Sequence, residues 1–112
     1  MGNPATANNG PIGLGRFSTL RAWLSQWSID DSNADGPRSA KSISVPLLVI
    51  ENSADDAVPQ PHARIIHDAA ASTDKTFHVI KGATHYYQGQ PELLKEAVDT
   101  CLAWMAKQKL ID

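Results

Sequence analysis

The stretch Ile43-Ser44-Val45-Pro46-Leu47-Leu48-Val49-Ile50 is apolar and rich in β-branched residues apart from Ser44 and Pro46, and it stops abruptly in Glu51-Asn52-Ser53-Ala54-Asp55-Asp56. A short apolar run without alternation predicts a strand covered on both faces, the pattern of a parallel sheet with helices on each side. Pro46 fits the first positions of such a strand and not its middle. The residues that follow extend the pattern. Pro61 predicts a helix start, with Ile65, Ile66, Ala69 and Ala70 as a narrow apolar stripe. Thr76 to Ile80 predicts a second strand, and Pro91 opens a last helix whose Leu94, Val98, Cys101, Leu102 and Met105 are expected to face inward, flanked by Leu93, Ala97 and Trp104. A strand–helix–strand crossover of this length should be parallel and right-handed. The fold class expected is therefore α/β, two parallel strands with flanking helices.

Upstream the pattern weakens. Residues 1–16 hold Asn, Pro, Gly and Ala with almost no periodicity, which predicts an irregular arm. Residues 17–41 predict a tryptophan-bearing helix and an acidic loop, and 42–112 the strand–helix–strand–helix segment. In the first helix Leu20, Trp23, Leu24 and Trp27 follow i, i+3, i+4, i+7 spacing. Such a face is core or an interface more often than the lining of an acyl pocket. The acids of Asp30-Asp31-Ser32-Asn33-Ala34-Asp35-Gly36-Pro37 lack the alternation of a calcium loop, so a solvated connection is expected there. A chain of 112 residues is one domain at most.

Composition narrows the functional classes. Ten Lys and Arg against twelve Asp and Glu leave a slightly acidic chain with no basic stripe, so nucleic acid is not an expected partner. One cysteine, Cys101, excludes an internal disulfide framework and suits a reducing compartment, hence a cytoplasmic location. It falls among the apolar positions of the last helix, where inert packing is expected before reactivity or metal binding. No apolar run approaches a membrane span, and the N-terminus has no secretory pattern.

The chemistry concentrates at Asp55 and His85. Asp55 lies in the turn after the first strand, His85 in the turn after the second, thirty positions on. Parallel strands joined by a helix put both turns at the carboxyl edge of the sheet, where open α/β proteins carry their sites. An acid that orients an imidazole supplies two members of a nucleophilic triad. Each residue has a plainer reading too: Asp is a common turn former, and a loop histidine is usually just partly exposed. Asp56 competes with Asp55 for the role. His62 and His67 are five apart, not the i, i+4 spacing of paired ligands. Together with His78 they read as surface or filler residues without a comparable acid partner.

Two motifs at these positions resemble the C-terminal part of the α/β-hydrolase family. Asp55-Asp56-Ala57-Val58-Pro59, after an apolar strand, is similar to the family's D-x-x-V-P acid turn. Gly82-Ala83-Thr84-His85, after the second strand, is similar to its histidine loop, and acid before histidine agrees with the family's order. The resemblance covers about residues 43–108, and its alignment selects Asp55 over Asp56. It implies a sheet continuing beyond these strands, Asp55 and His85 as catalytic acid and base, an ester or related acyl substrate, and no cofactor. The chain departs from the family in two ways. Glu51-Asn52 stands where family members often have His-Gly, and no G-x-S-x-G nucleophile elbow occurs. No serine stands on a strand-to-helix turn between glycines; Ser53 is in the acid's own turn.

The expectation is therefore the C-terminal part of a serine-dependent α/β-hydrolase, with the triad acid and histidine but not the nucleophile, inactive alone. Its partners would be a small acyl substrate in the parent protein, and a second copy or a complementing upstream hydrolase half. The alternative is a non-catalytic α/β module that self-associates or docks on another chain, because two strands rarely make a stable sheet alone.

Overall fold

The structure, a computed structural model, describes residues 19–28, 30, 32 and 34–112. The arm expected at 1–16 and the first two residues of the expected tryptophan-bearing helix lie outside the described residues. The chain divides into two units, Met1–Asp35 and Gly36–Asp112.

In the first unit a helix, α1, spans Leu20–Trp27. Thr19 caps it, its hydroxyl accepting from the Ala22 N–H at 3.1 Å. The expected apolar face is present but open: Trp23 and Leu24 are half-buried, while Leu20 is 67% exposed.

The second unit runs α2 (Gly36–Ala40), β1 (Leu47–Asn52), α3 (His62–Ala69), β2 (Lys75–Ile80) and α4 (Pro91–Lys107). The short helix α2 corrects the expectation of a connecting loop through Gly36 and Pro37. Proline in a first helical turn gives up an N–H that has no partner there anyway, and Ala40 is buried at the other end. β1 begins one residue after Pro46, as that proline requires, and extends two residues beyond Ile50.

β1 and β2 pair in parallel, with Leu47 opposite Lys75 and Asn52 opposite Ile80. Helix α3 connects them and packs on both, and α4 contacts both as well. Mixed α/β architecture with two parallel strands and flanking helices is thus the fold of this unit.

The centre of the core is Ile80, fully buried with Ala83 and Ala97, and packed by Ile50, Tyr87 and Leu93. On α4 the inward line is Leu93, Ala97 and Trp104. Leu94, Val98 and Leu102 are instead each 48% exposed, which corrects the expected inward face. The reason is the width of the sheet. A helix over two strands buries one narrow stripe, and the rest of a broad apolar face projects past the edge.

That edge belongs to β1. The Leu47 N–H donates to the Asp74 carbonyl at 2.9 Å and the Ser53 N–H to the Ile80 carbonyl at 3.1 Å. Backbone groups alternate in direction along a strand. Leu47, Val49 and Glu51 therefore address β2, and Leu48, Ile50 and Asn52 address the opposite side. Among the described residues no strand pairs there. Every residue of β1 is only partly buried, so the cover expected on both faces is incomplete.

Candidate active site

Both turns expected to carry chemistry lie at the carboxyl ends of β1 and β2. The His85 Nδ1–H faces Asp55 Oδ2 at 2.8 Å. The other carboxylate oxygen, Oδ1, accepts from the Ala57 N–H at 2.9 Å and the Val58 N–H at 2.8 Å. Asp55 thereby closes its own turn with one oxygen and orients the imidazole with the other. Its side chain is 11% exposed and that of His85 34%. Asp56 is exposed and takes no part in this pairing.

These donors set the electrostatics. The Val58 amide first and the His85 bond second hold the Asp55 carboxyl below its ordinary range; desolvation opposes them, and the Ala57 amide lowers it less than desolvation raises it. The sign for stability follows. A carboxyl whose folded pKa is depressed contributes stability above its unfolded value of about 3.9 and loses it as pH falls through the folded value. Urea midpoints of the wild type and Asp55→Asn should therefore differ by a constant amount near neutral pH and converge below about pH 3.9. A difference indifferent to acid would show that the carboxylate charge is not what the turn holds.

Further bonds join the two turns. The Ala54 N–H donates to the Ala83 carbonyl at 3.0 Å, and the Gly82 N–H to Ser53 Oγ at 2.8 Å. Asn52 Nδ2 donates to the Thr84 carbonyl at 3.1 Å, while Asn52 Oδ1 accepts from the Tyr87 hydroxyl at 2.8 Å. Gln90 completes the loop from the far side. Its Oε1 accepts from the Thr84 N–H at 2.9 Å and the Thr84 hydroxyl at 3.1 Å, and its Nε2 donates to the Gly82 carbonyl at 2.8 Å.

Two backbone positions make this geometry possible. Gly82 turns the chain at φ +79°, and a β-carbon there would meet nothing within 4 Å, so the glycine answers a backbone requirement and not a spatial one. Tyr87 sits at φ +54°, uncommon for a bulky residue. Its hydroxyl bond to Asn52 and the Gln90 N–H bond to its carbonyl at 2.9 Å hold it there.

The bond to Asp55 occupies Nδ1 and leaves His85 Nε2 for proton exchange. Next to it an open depression of about 490 Å³ is lined by Asp56, Thr84, His85, Tyr86 and Gln88. Tyr86 is 84% exposed and stands edge-on to the imidazole, ring centres 4.6 Å apart. Ser53 Oγ accepts from the Gly82 amide, a bond that ties the two turns together. Asn52, Ser53, Tyr87 and Gln90 were not expected to matter to the site. Only the Glu51-Asn52 departure from the family pattern marked one of them.

Two of the other histidines have an acid beside them, though neither acid is comparable to Asp55. His67 Nδ1 lies 2.9 Å from Asp68 Oδ1 and its ring meets Phe77 edge-on; His67 is the main cause holding the Asp68 carboxyl low. His78 Nε2 lies 3.0 Å from Glu96 Oε1. Both partner carboxylates are well exposed, at 64% and 43%. His85 differs in having an acid that is enclosed and locked by backbone amides. Among the described residues no group of His, Cys, Asp and Glu is arranged to hold a metal ion, and no helix is long and apolar enough to cross a membrane. No protein-family model, curated protein or solved structure matches the chain.

Proposed function

We propose that this chain is the acid- and histidine-bearing part of a serine-dependent hydrolase of the α/β-hydrolase kind, acting on an ester or related acyl substrate. The observation that carries the reading is the enclosed Asp55 carboxylate, fixed by the Ala57 and Val58 amides and bonded to His85 Nδ1 at 2.8 Å. In this role Asp55 holds the tautomer with the proton on Nδ1 and stabilises the imidazolium that forms when Nε2 takes a proton. His85 then acts first as general base toward a serine hydroxyl and next as general acid toward the leaving group. The serine and the oxyanion-hole donors belong to a segment upstream of these residues in the complete protein. Two further features support the reading: the site's place at the carboxyl edge of parallel strands, and a β1 edge with no strand beside it among the described residues.

The test is reconstitution. The chain alone should hydrolyse short activated esters no faster with His85 than with His85→Ala, because no oxyanion hole accompanies the couple. Joined to the segment encoded upstream of Met1, it should hydrolyse them, and His85→Ala should then lower kcat by about 10⁶. An upstream segment without G-x-S-x-G, or an activity indifferent to His85, would end the proposal. The open edge also favours a second reading, an associating module whose couple is not used in catalysis.

A further inference from the structure

Two surfaces of the second unit meet at one edge. Leu48 and Ile50 direct their N–H and C=O groups away from β2, while the Asn52 carbonyl beside them accepts from Gln60 Nε2 at 3.4 Å. Over the same edge α4 presents Leu94, Val98 and Leu102 at i, i+4, i+8, each 48% exposed. His78 of β2 bonds Glu96 and so marks β2's side of α4. Val98, Cys101 and Leu102 lie on β1's side, where with Ile50 they line an apolar groove of about 350 Å³.

Whatever covers this face has to bring a strand for the backbone row and an apolar helix for the stripe, side by side. The chain itself has that pair. We infer that the face is an interface between two copies of the chain, related by a twofold axis, with β1 antiparallel to β1 and α4 antiparallel to α4.

The register is nearly determined. In an antiparallel pair, hydrogen-bonded positions must both point at the partner, so Leu48 and Ile50 can oppose only residues of their own parity, Pro46, Leu48, Ile50 or Asn52. Because the Asn52 carbonyl is already engaged and Pro46 has no N–H to donate, Leu48 opposes Ile50 of the second copy and the reverse, with Val49 on the axis. Glu51 then lies across from Leu47, not from another glutamate. On α4 a crossing centred at Val98 sets Leu94 against Leu102 of the second copy. It sets Lys95 against Cys101 and Glu96 against Thr100, so no like charges are opposed. An isologous interface demands this self-complementarity, and strand and helix meet it together. The groove places Ile50 beside Val98, so one axis serves both. The inference concerns the chain by itself: the upstream segment of the proposed hydrolase would pair with the same β1 edge and take the second copy's place.

Sedimentation across a concentration series, with amide exchange at Leu48, Val49 and Ile50, tests it. Val49 should be protected at every concentration through its bond to β2, whereas Leu48 and Ile50 should become protected only as the dimer forms. Val98→Lys and Leu102→Lys, at exposed positions, should each weaken dimerisation by about 30-fold or more, the effect of losing an interface anchor. Should either lysine variant lose Val49 protection and so its fold, Leu48→Pro decides. It removes one outward donor and no bond to β2, and weaker dimerisation with Val49 still protected supports the inference. A monomer at all concentrations, a dimer in which Leu48 and Ile50 exchange freely, or a dimer unaffected by these substitutions would overturn it.

Discussion

Asp55→Asn should lower kcat of the proposed hydrolase, once reconstituted, by roughly 10⁴, the loss seen where a triad acid becomes an amide, and the geometry says why. The Ala57 and Val58 N–H groups lie 2.9 and 2.8 Å from one carboxylate oxygen. In the variant they can donate only to the amide oxygen, which turns the NH₂ group toward His85. His85 Nδ1 must then accept, its proton moves to Nε2, and the atom that takes the serine proton in the proposed mechanism already carries one. The consequence can be seen without any activity. Nitrogen chemical shifts of His85 in the isolated chain should report Nδ1–H in the wild type and Nε2–H in the variant. An unchanged tautomer would mean that the amides do not dictate the orientation, whatever the kinetics show.

Ile80→Ala should destabilise the second unit by about 2–5 kcal/mol, the range for truncating a buried branched side chain. Ile80 is the largest fully buried side chain among the described residues, and its neighbours Ala83 and Ala97 are too small to close the space it would leave. Ile50, Tyr87 and Leu93 around it are each tied to a separate element or loop. A domain of this size holds only about 5–15 kcal/mol in all. The urea midpoint should therefore fall by a large fraction of its wild-type value, or the transition should lose cooperativity. A shift under 1 kcal/mol, on the order of an exposed-site change, would place the core elsewhere. Ile80 also ends β2 opposite Asn52 and gives its carbonyl to the Ser53 and Ala83 amides. Its loss should accordingly loosen the Asp55–His85 pairing along with the core.

The elements legible in the sequence were those with a local signature. The apolar runs Leu47–Ile50 and Thr76–Ile80 announced the two strands, and the prolines at 46, 61 and 91 the start of β1 and of α3 and α4. Asp55 and His85 were legible because a turn after a parallel strand has a known location in space. The inward side of α4 was not. Leu93, Leu94, Ala97, Val98, Cys101, Leu102, Trp104 and Met105 cover about half of the helix circumference, and only the width of the sheet decides which of them are buried. Helix α2 was hidden for a different reason: Gly36-Pro37 reads as a turn from either side. Asn52, Tyr87 and Gln90 carry no periodic pattern at all. Amide and phenol side chains gain their meaning from what they reach, and their partners lie across the fold or around a loop.

The bonds between the two turns have a consequence for inheritance. Ala54 with Ala83, Ser53 with Gly82, Asn52 with Thr84 and Tyr87, and Gln90 with both ends of the histidine loop make one knot from residues 52–58 and 82–90. Everything that aligns acid with imidazole is encoded within that span and the strands leading into it. A recombination event that copied β1 through the start of α4 would transfer an aligned acid–imidazole pair as a unit. A nucleophile, oxyanion donors and a place for a substrate would have to come from the recipient chain.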